Sequence, residues 1–328
     1  MIFRGMNFGG PVLSAAGVQG FFGEGYRHHK ILRLFGQDFS GITLVTKTTT
    51  LRPNQGNMPL AENGITPKEF APKCILPNLQ PKNFTVSLRM FLQGIMLNAV
   101  KLSGPGTLAL LQKELWQKME QAFWISFMAI GATVQERLQE YAQFVALLKE
   151  RLPDFKVPVG VQVNLTCPNV GLDIDELVYE GEAMLEIGAE LERPQMPKVN
   201  VLTPVRVAKQ IASNANCDAI CTSNTVRFGL LPGHINWKKL FGTDVSPLAE
   251  FGGGGLSGPP LLALVVEQTR KAREAGITKH INAGGGISRH EDVDLLKAAG
   301  ASSVFLGTSC NLRSWRMRSI VRRAYQLF

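Results

Sequence analysis

The residues best suited to chemistry stand together at Asn164-Leu165-Thr166-Cys167-Pro168-Asn169, directly after the apolar run Val159-Gly160-Val161-Gln162-Val163. Two carboxamides and a thiol at the end of a strand, turned sharply by proline, make a platform for work on a bound ring. Cys167 is the candidate general base, with Asn164 and Asn169 able to donate and accept hydrogen bonds beside it. The competing account is a small buried hydrophobe, the usual fate of a free cysteine. A second chemistry-bearing set is glycine: Gly252 to Gly258, then Gly284-Gly285-Gly286-Ile287, then Gly307-Thr308-Ser309. Glycine turns let a backbone approach a ligand closely and present its N–H groups, which suits phosphate.

Positioning these groups requires regular elements, and the chain supplies eight short apolar stretches that alternate with helical patterns: residues 11–17, 41–47, 123–129, 159–165, 198–202, 219–223, 279–283 and 303–307. Parallel strands must be covered on both faces, so this rhythm predicts an α/β fold, a TIM (β/α)8 barrel formed by residues 1–328 as a single unit. An open doubly wound sheet is expected to carry its glycine fingerprint after the first strand; here the glycines fall after the late strands, where barrels place phosphate. Residues 51–97 break the rhythm with Pro53, Pro59, Pro67, Pro72, Pro77 and Pro81. Too long for a plain connection, this stretch is expected to be an insertion or lid at the catalytic face.

Composition narrows the classes. With 45% hydrophobic and 19% charged residues the chain is globular, neither disordered nor fibrous. No apolar run reaches membrane-span length and no secretory leader is legible at Met1 to Met6, so a cytoplasmic protein without a membrane role is expected. The 5 cysteines are scattered without paired spacing, which argues against both a disulfide framework and a metal site. The formal charge of +9 suits anionic ligands. Much of it sits in Arg313, Arg316, Arg318, Arg322 and Arg323, read as the solvated face of a terminal helix instead of a nucleic-acid or lipid surface.

Several segments, in order along the chain, carry a family resemblance: Ser14-Ala15-Ala16-Gly17-Val18, Thr46-Lys47-Thr48-Thr49-Thr50, Gly56-Asn57-Met58-Pro59, Asn98 through Gly106, Asn164 through Asn169, Ser223-Asn224-Thr225, Gly254 through Gly258, Gly285-Gly286-Ile287 and Gly307-Thr308. With them the chain resembles the dihydroorotate dehydrogenases, FMN enzymes on a TIM barrel. The resemblance implies that Cys167 takes a proton from carbon 5 of dihydroorotate while a hydride leaves carbon 6 for the flavin. It implies that Asn98, Asn164, Asn169, Asn224 and Thr225 hold the substrate ring, whose edge alternates N–H and C=O. Lys47 would lie between flavin and substrate. The FMN contacts would come from Ala16, Gly17, Lys47, Thr48, Asn164, Gly258, Gly285, Gly286, Gly307 and Thr308, with no metal. Cysteine at 167 points to the soluble class 1 enzymes, because the quinone-using class has serine. Within class 1 a fumarate-using homodimer is favoured, since an NAD-linked enzyme needs a partner subunit for its further cofactors.

Two departures stand out. Family members carry a flavin-contacting lysine before a Leu-Thr-Pro-like turn in the fifth strand; counting back from Leu202-Thr203-Pro204 puts Val201 there, and Lys198, three residues away, is expected to point to the opposite face. Lys101 stands where the family usually has glycine. These leave room for a paralogue that acts on another cyclic amide or has lost turnover. A flavoenzyme of the dihydrouridine synthase kind is a further alternative, and it predicts an RNA-binding helical domain after the barrel.

Overall fold

The computed structural model describes residues 1–78, 80–165 and 174–328. Its centre is a ring of parallel strands. Val12–Ser14 pairs with Ser303–Leu306, and Leu13 bridges Thr43 in the second strand, where Val45 in turn bridges Trp124. Phe123–Phe127 then pairs along its whole length with Val159–Val163. The fourth strand meets the fifth through Val161 to Gln195 and Asn164 to Lys198. Lys198–Val199 pairs with Ala219–Thr222, that strand with His280–Gly284, and the last with Ser303–Leu306, which closes the circle. The eight predicted strands are all present, the second as isolated bridges at Thr43 and Val45 instead of a continuous ladder.

Alternation along the strands separates two cores. Val12, Leu44, Ile125, Val161, Val199, Ile220, Ile281 and Val304 pack outward against the helices. Their neighbours Leu13, Val45, Trp124, Met196, Cys221 and Phe305 point into the barrel, where Phe3 and Phe8 join them from the N-terminal hairpin. The hairpin is a plug: Phe8 and Trp124 rings lie 4.8 Å apart and Arg4 binds Asp218 at 3.0 Å. Gly160 is required opposite the indole, since a Cβ there would lie 2.6 Å from Trp124.

The outer helices start and stop for local reasons. Val134–Arg151 opens on a capping box in which Thr133 and Glu136 satisfy each other's backbone N–H. In Met317–Leu327 the side chains of Met317, Ile320 and Ala324 are buried while Arg318 and Arg322 face out, but Arg313, Arg316 and Arg323 are half-buried, with Arg323 donating to Asp294 at 3.0 Å and Arg316 to Ser288 O at 3.2 Å, so only part of the expected arginine face is solvated. Two excursions from the barrel, residues 51–105 and 226–258, meet in a four-stranded antiparallel sheet of Val226–Arg227, Gly255–Ser257, Met96–Asn98 and Ile75–Leu76. It has its own core, with Met58, Met90, Leu97, Trp237 and Leu256 buried. Among the described residues no helix is long and apolar enough to cross a membrane.

Candidate active site

A cavity of about 1260 Å³ opens between the C-terminal ends of the barrel strands and this antiparallel sheet. Ala16, Gly17, Lys47, Thr48, Asn98, Asn164, Asn224, Thr225, Gly258, Gly285, Gly286, Gly307 and Thr308 all line it. Residues separated by up to 292 positions thus share one chamber because each sits at the end of a strand or on the sheet above. Cys167 and Asn169 lie outside the described residues. The other cysteines do not line the cavity and are buried, which pushes the thiols of Cys74 and Cys221 up to about 11 and those of Cys217 and Cys310 to about 12. Thiols so disfavoured as anions are poor bases near neutral pH.

The carboxamides form a linked set. Asn224 Nδ2 donates to Asn164 Oδ1 at 3.2 Å, and the Thr225 N–H donates to Asn224 Oδ1 at 2.9 Å, fixing which end of each amide faces which way. Asn98 belongs to the antiparallel sheet, opposite Gly255 in register. The glycine turns of the lining are steric necessities: Gly285 and Gly286 have φ of +112° and +99°, and a Cβ on Gly286 would lie 2.6 Å from Leu262 N. Gly258 has φ +116°, and Thr308 Oγ1 donates to Ser257 Oγ at 2.9 Å beside it.

Two lysines reach into the chamber. Burial pushes the Lys47 ammonium down to about 8. It donates to Ser103 O, stands 4.9 Å over the Phe21 ring and feels the Glu24 carboxylate, itself held above its usual range by burial. Lys198 corrects the expectation for the fifth strand: it faces the cavity, and Val201 does not. The strand ends at Val199 and the chain turns at residues 201–203, so an alternation counted back from the turn is out of phase. Val201 packs on hydrophobic neighbours instead. Burial pushes Lys198 down as well, and among the described residues its ammonium meets neither a carboxylate nor a hydrogen-bond acceptor; Phe305 lies below it at 5.7 Å.

Other lining groups carry no advance signal in the sequence. Arg137 clasps Glu180 through two hydrogen bonds of 2.7 Å, tying Val134–Arg151 to Ile174–Gly188, the helix that follows the Asn164 to Asn169 stretch. Tyr26, His28 and Asn311 meet at the wall between the first and eighth strands, where His28 Nε2 and Asn311 Oδ1 are 3.2 Å apart.

This arrangement suits one cofactor class. Glycine turns that tolerate no side chain can cradle a phosphate, and an uncompensated buried cation favours negative charge on a ring laid against it. FMN, a flat heteroaromatic ring with a phosphate arm, fits both features. The sequence model of the dihydroorotate dehydrogenase family matches residues 73–323. The chain belongs to the dihydroorotate dehydrogenase family. It is similar to the protein named dihydroorotate dehydrogenase B (NAD(+)), catalytic subunit, of Thermoanaerobacter pseudethanolicus, with 25% identity over 312 residues, 94% of this chain and 85% of that one. The protein of the same name from Bacillus thuringiensis is 28% identical over 314 residues, covering 93% and 84%. Dihydroorotate dehydrogenase A (fumarate) of Lacticaseibacillus paracasei is 27% identical over 337 residues, covering 98% and 94%. Both class 1 names, A and B, are thus represented among the similar proteins.

Proposed function

We propose that the protein oxidises dihydroorotate to orotate in pyrimidine synthesis, with FMN as its cofactor and Cys167 as the general base. The observation that carries this reading is the convergence of Asn98, Asn164, Asn224, Thr225 and Lys47 on one cavity that glycine turns also line. When bound, FMN supplies the acceptor for the hydride that leaves carbon 6. Gly258, Gly285, Gly286, Gly307 and Thr308 hold its phosphate end, and Ala16, Gly17, Thr48 and Lys198 border its ring. The amides read the alternating donors and acceptors of the substrate edge. Lys47 holds positive charge between ring and substrate, Cys167 accepts the proton from carbon 5, and Asn169 is a further substrate-binding amide. The excursion 51–97 serves as the cover, its helix Phe84–Gln93 contributing Phe84, Leu88 and Phe91 to the mouth of the cavity.

The holoenzyme, purified with its flavin spectrum intact, is mixed anaerobically with dihydroorotate. The flavin absorbance is expected to bleach, and Cys167→Ser to slow bleaching at least a hundredfold near neutral pH. A yellow protein that stays yellow would overturn the substrate; a serine variant as fast as the parent would overturn the base. A homodimer that passes its electrons to fumarate completes this reading. A separate electron-transfer subunit, as the words catalytic subunit imply for the NAD-named relatives, is the alternative. Reoxidation of the bleached protein by fumarate, with its mass in solution, separates the two.

A further inference from the structure

Three separated stretches leave large apolar side chains in water on one face of the molecule. The helix Phe84–Gln93 turns Met90 into the core of the antiparallel sheet and carries Phe84, Leu88, Phe91 and Leu92 outward, an exposed stripe at i, i+4, i+7 and i+8. Beside it the short helices His29–Leu32 and Arg33–Phe35 expose Ile31, Phe35 and, at 82%, Leu34. The third stretch, Ser314–Arg316, adds Trp315. Arg313 joins them: its guanidinium lies 5.7 Å from the Phe91 ring and 5.5 Å from the Trp315 ring, and it donates to Leu92 O at 2.8 Å. Ser314 Oγ donates to Phe35 O at 3.2 Å. Ile31, Phe84, Leu88 and Phe91 also line the cavity, so the patch is continuous with its mouth. Single exposed apolar residues are ordinary, but a contiguous set of this size marks a surface that something covers.

Charge decides what covers it. Residues 27–38, 84–93 and 311–318 hold six arginines and one lysine against one acid, Asp38, which Arg318 binds at 3.6 Å. Among the described residues Arg27, Lys30 and Arg33 have no carboxylate within ion-pair reach, and Arg33 and Arg318 share a shallow depression with Leu34, Phe35 and Trp315. Two copies meeting through this face would set like charges against each other. An anionic bilayer answers both features: leucine and phenylalanine reach the acyl boundary, tryptophan suits the interface, and the cations meet lipid phosphates. Because three stretches build it, this surface leaves no apolar run of the kind on which the expectation of no membrane role rested.

We propose that this apolar and basic face is a peripheral docking surface for an anionic lipid bilayer, seating the barrel with the mouth of its cavity beside the membrane. The inference is independent of which substrate the cavity takes. The purified protein is floated with vesicles of phosphatidylcholine and phosphatidylserine, and with vesicles of phosphatidylcholine alone. Binding is expected on the mixed vesicles, and about tenfold or more weaker on the neutral ones or in high salt. The double variant Leu34→Gln, Leu92→Gln should lose about tenfold or more in affinity, and Arg33→Gln about fivefold on the mixed vesicles alone. None of these residues is among the proposed cofactor or substrate contacts, so flavin content and thermal stability should hold. Trp315 is the exposed member of the 4 tryptophans, so emission should shift to the blue on binding, and Trp315→Phe should remove the shift while keeping most of the affinity. Failure to bind the mixed vesicles overturns the inference. Binding that the leucine variant leaves intact also overturns it, by placing the contact elsewhere. So does a dimer that this variant dissolves in a protein indifferent to vesicles, which would make the face a contact between copies.

Discussion

Lys47 and Lys198 stand on different walls of one cavity, both buried and both with ammonium groups disfavoured by burial, yet the protein treats them differently. The second-strand wall answers its cation: Lys47 donates to Ser103 O, lies over Phe21 and has Glu24 within electrostatic reach. Among the described residues, the fifth-strand wall offers Lys198 only the Phe305 ring and the Cys221 thiol. A buried charge without a partner is costly, and sites that keep one do so for what it meets when a ligand arrives. The contrast teaches that the fold itself partners Lys47, while among the described residues it gives Lys198 no acceptor.

The largest effect that sharpens this contrast is on turnover. Lys47→Met, which keeps the shape of the stem, removes the positive charge that the proposed function puts between substrate and flavin, and kcat/KM for dihydroorotate should fall about a hundredfold or more. A loss under fivefold would mean that the charge lies off the reaction path. Lys198→Met should slow flavin reduction by about 10- to 100-fold and weaken retention of the flavin. It should also stabilise the flavin-free protein by about 1–4 kcal/mol, the range found when buried ionic groups are replaced by apolar ones of similar volume. Lys47→Met should stabilise it less, because its charge is already partly answered. Denaturant unfolding of both flavin-free variants tests this; equal gains would erase the distinction between the walls.

The barrel and the glycine turns of the cavity were legible in the sequence, because strand rhythm and glycine turns are local signals, whereas Ala16, Gly17, Lys47, Thr48, Asn98, Asn224 and Thr225 were named only through the family resemblance. Val12 to Ser14, Phe123 to Phe127 and Ser303 to Leu306 show their outward apolar faces directly, and Gly285 and Gly286 announce a close backbone approach. The asymmetry between the lysines was not legible. Lys198 was assigned the wrong face because alternation holds only within a strand, and this one ends at Val199, before the turn from which the count was made. Glu24 gave no signal as a neighbour of Lys47, since it approaches from the loop after a different strand. The wall of Tyr26, His28 and Asn311 joins chain positions 283 residues apart, a meeting that only ring closure between the first and eighth strands produces.

The smallest effect concerns pH and tests the compensated wall alone. Burial outweighs the attraction of Glu24, so Lys47 loses its proton near pH 8 in the folded protein, against 10.5 for the exposed group. For the free enzyme, kcat/KM toward an anionic substrate should therefore fall as pH rises through about 8, roughly tenfold per unit beyond it, while the profile of kcat should break at higher pH because bound substrate anion supports the ammonium. Stability moves the other way. Between pH 8 and 10.5 the unfolded chain holds more protons at this site than the folded one, so its contribution makes folding more favourable as pH rises, by up to about 1.4 kcal/mol per unit, and levels off above 10.5. Lys47→Met should abolish both the break in kcat/KM and this rise in stability. Lys47→Arg should move the break beyond the accessible range, because a guanidinium stays charged there. A break near pH 8 that persists in the methionine variant would assign it to another group, with the Cys167 thiol the first to examine by the pH dependence of its alkylation.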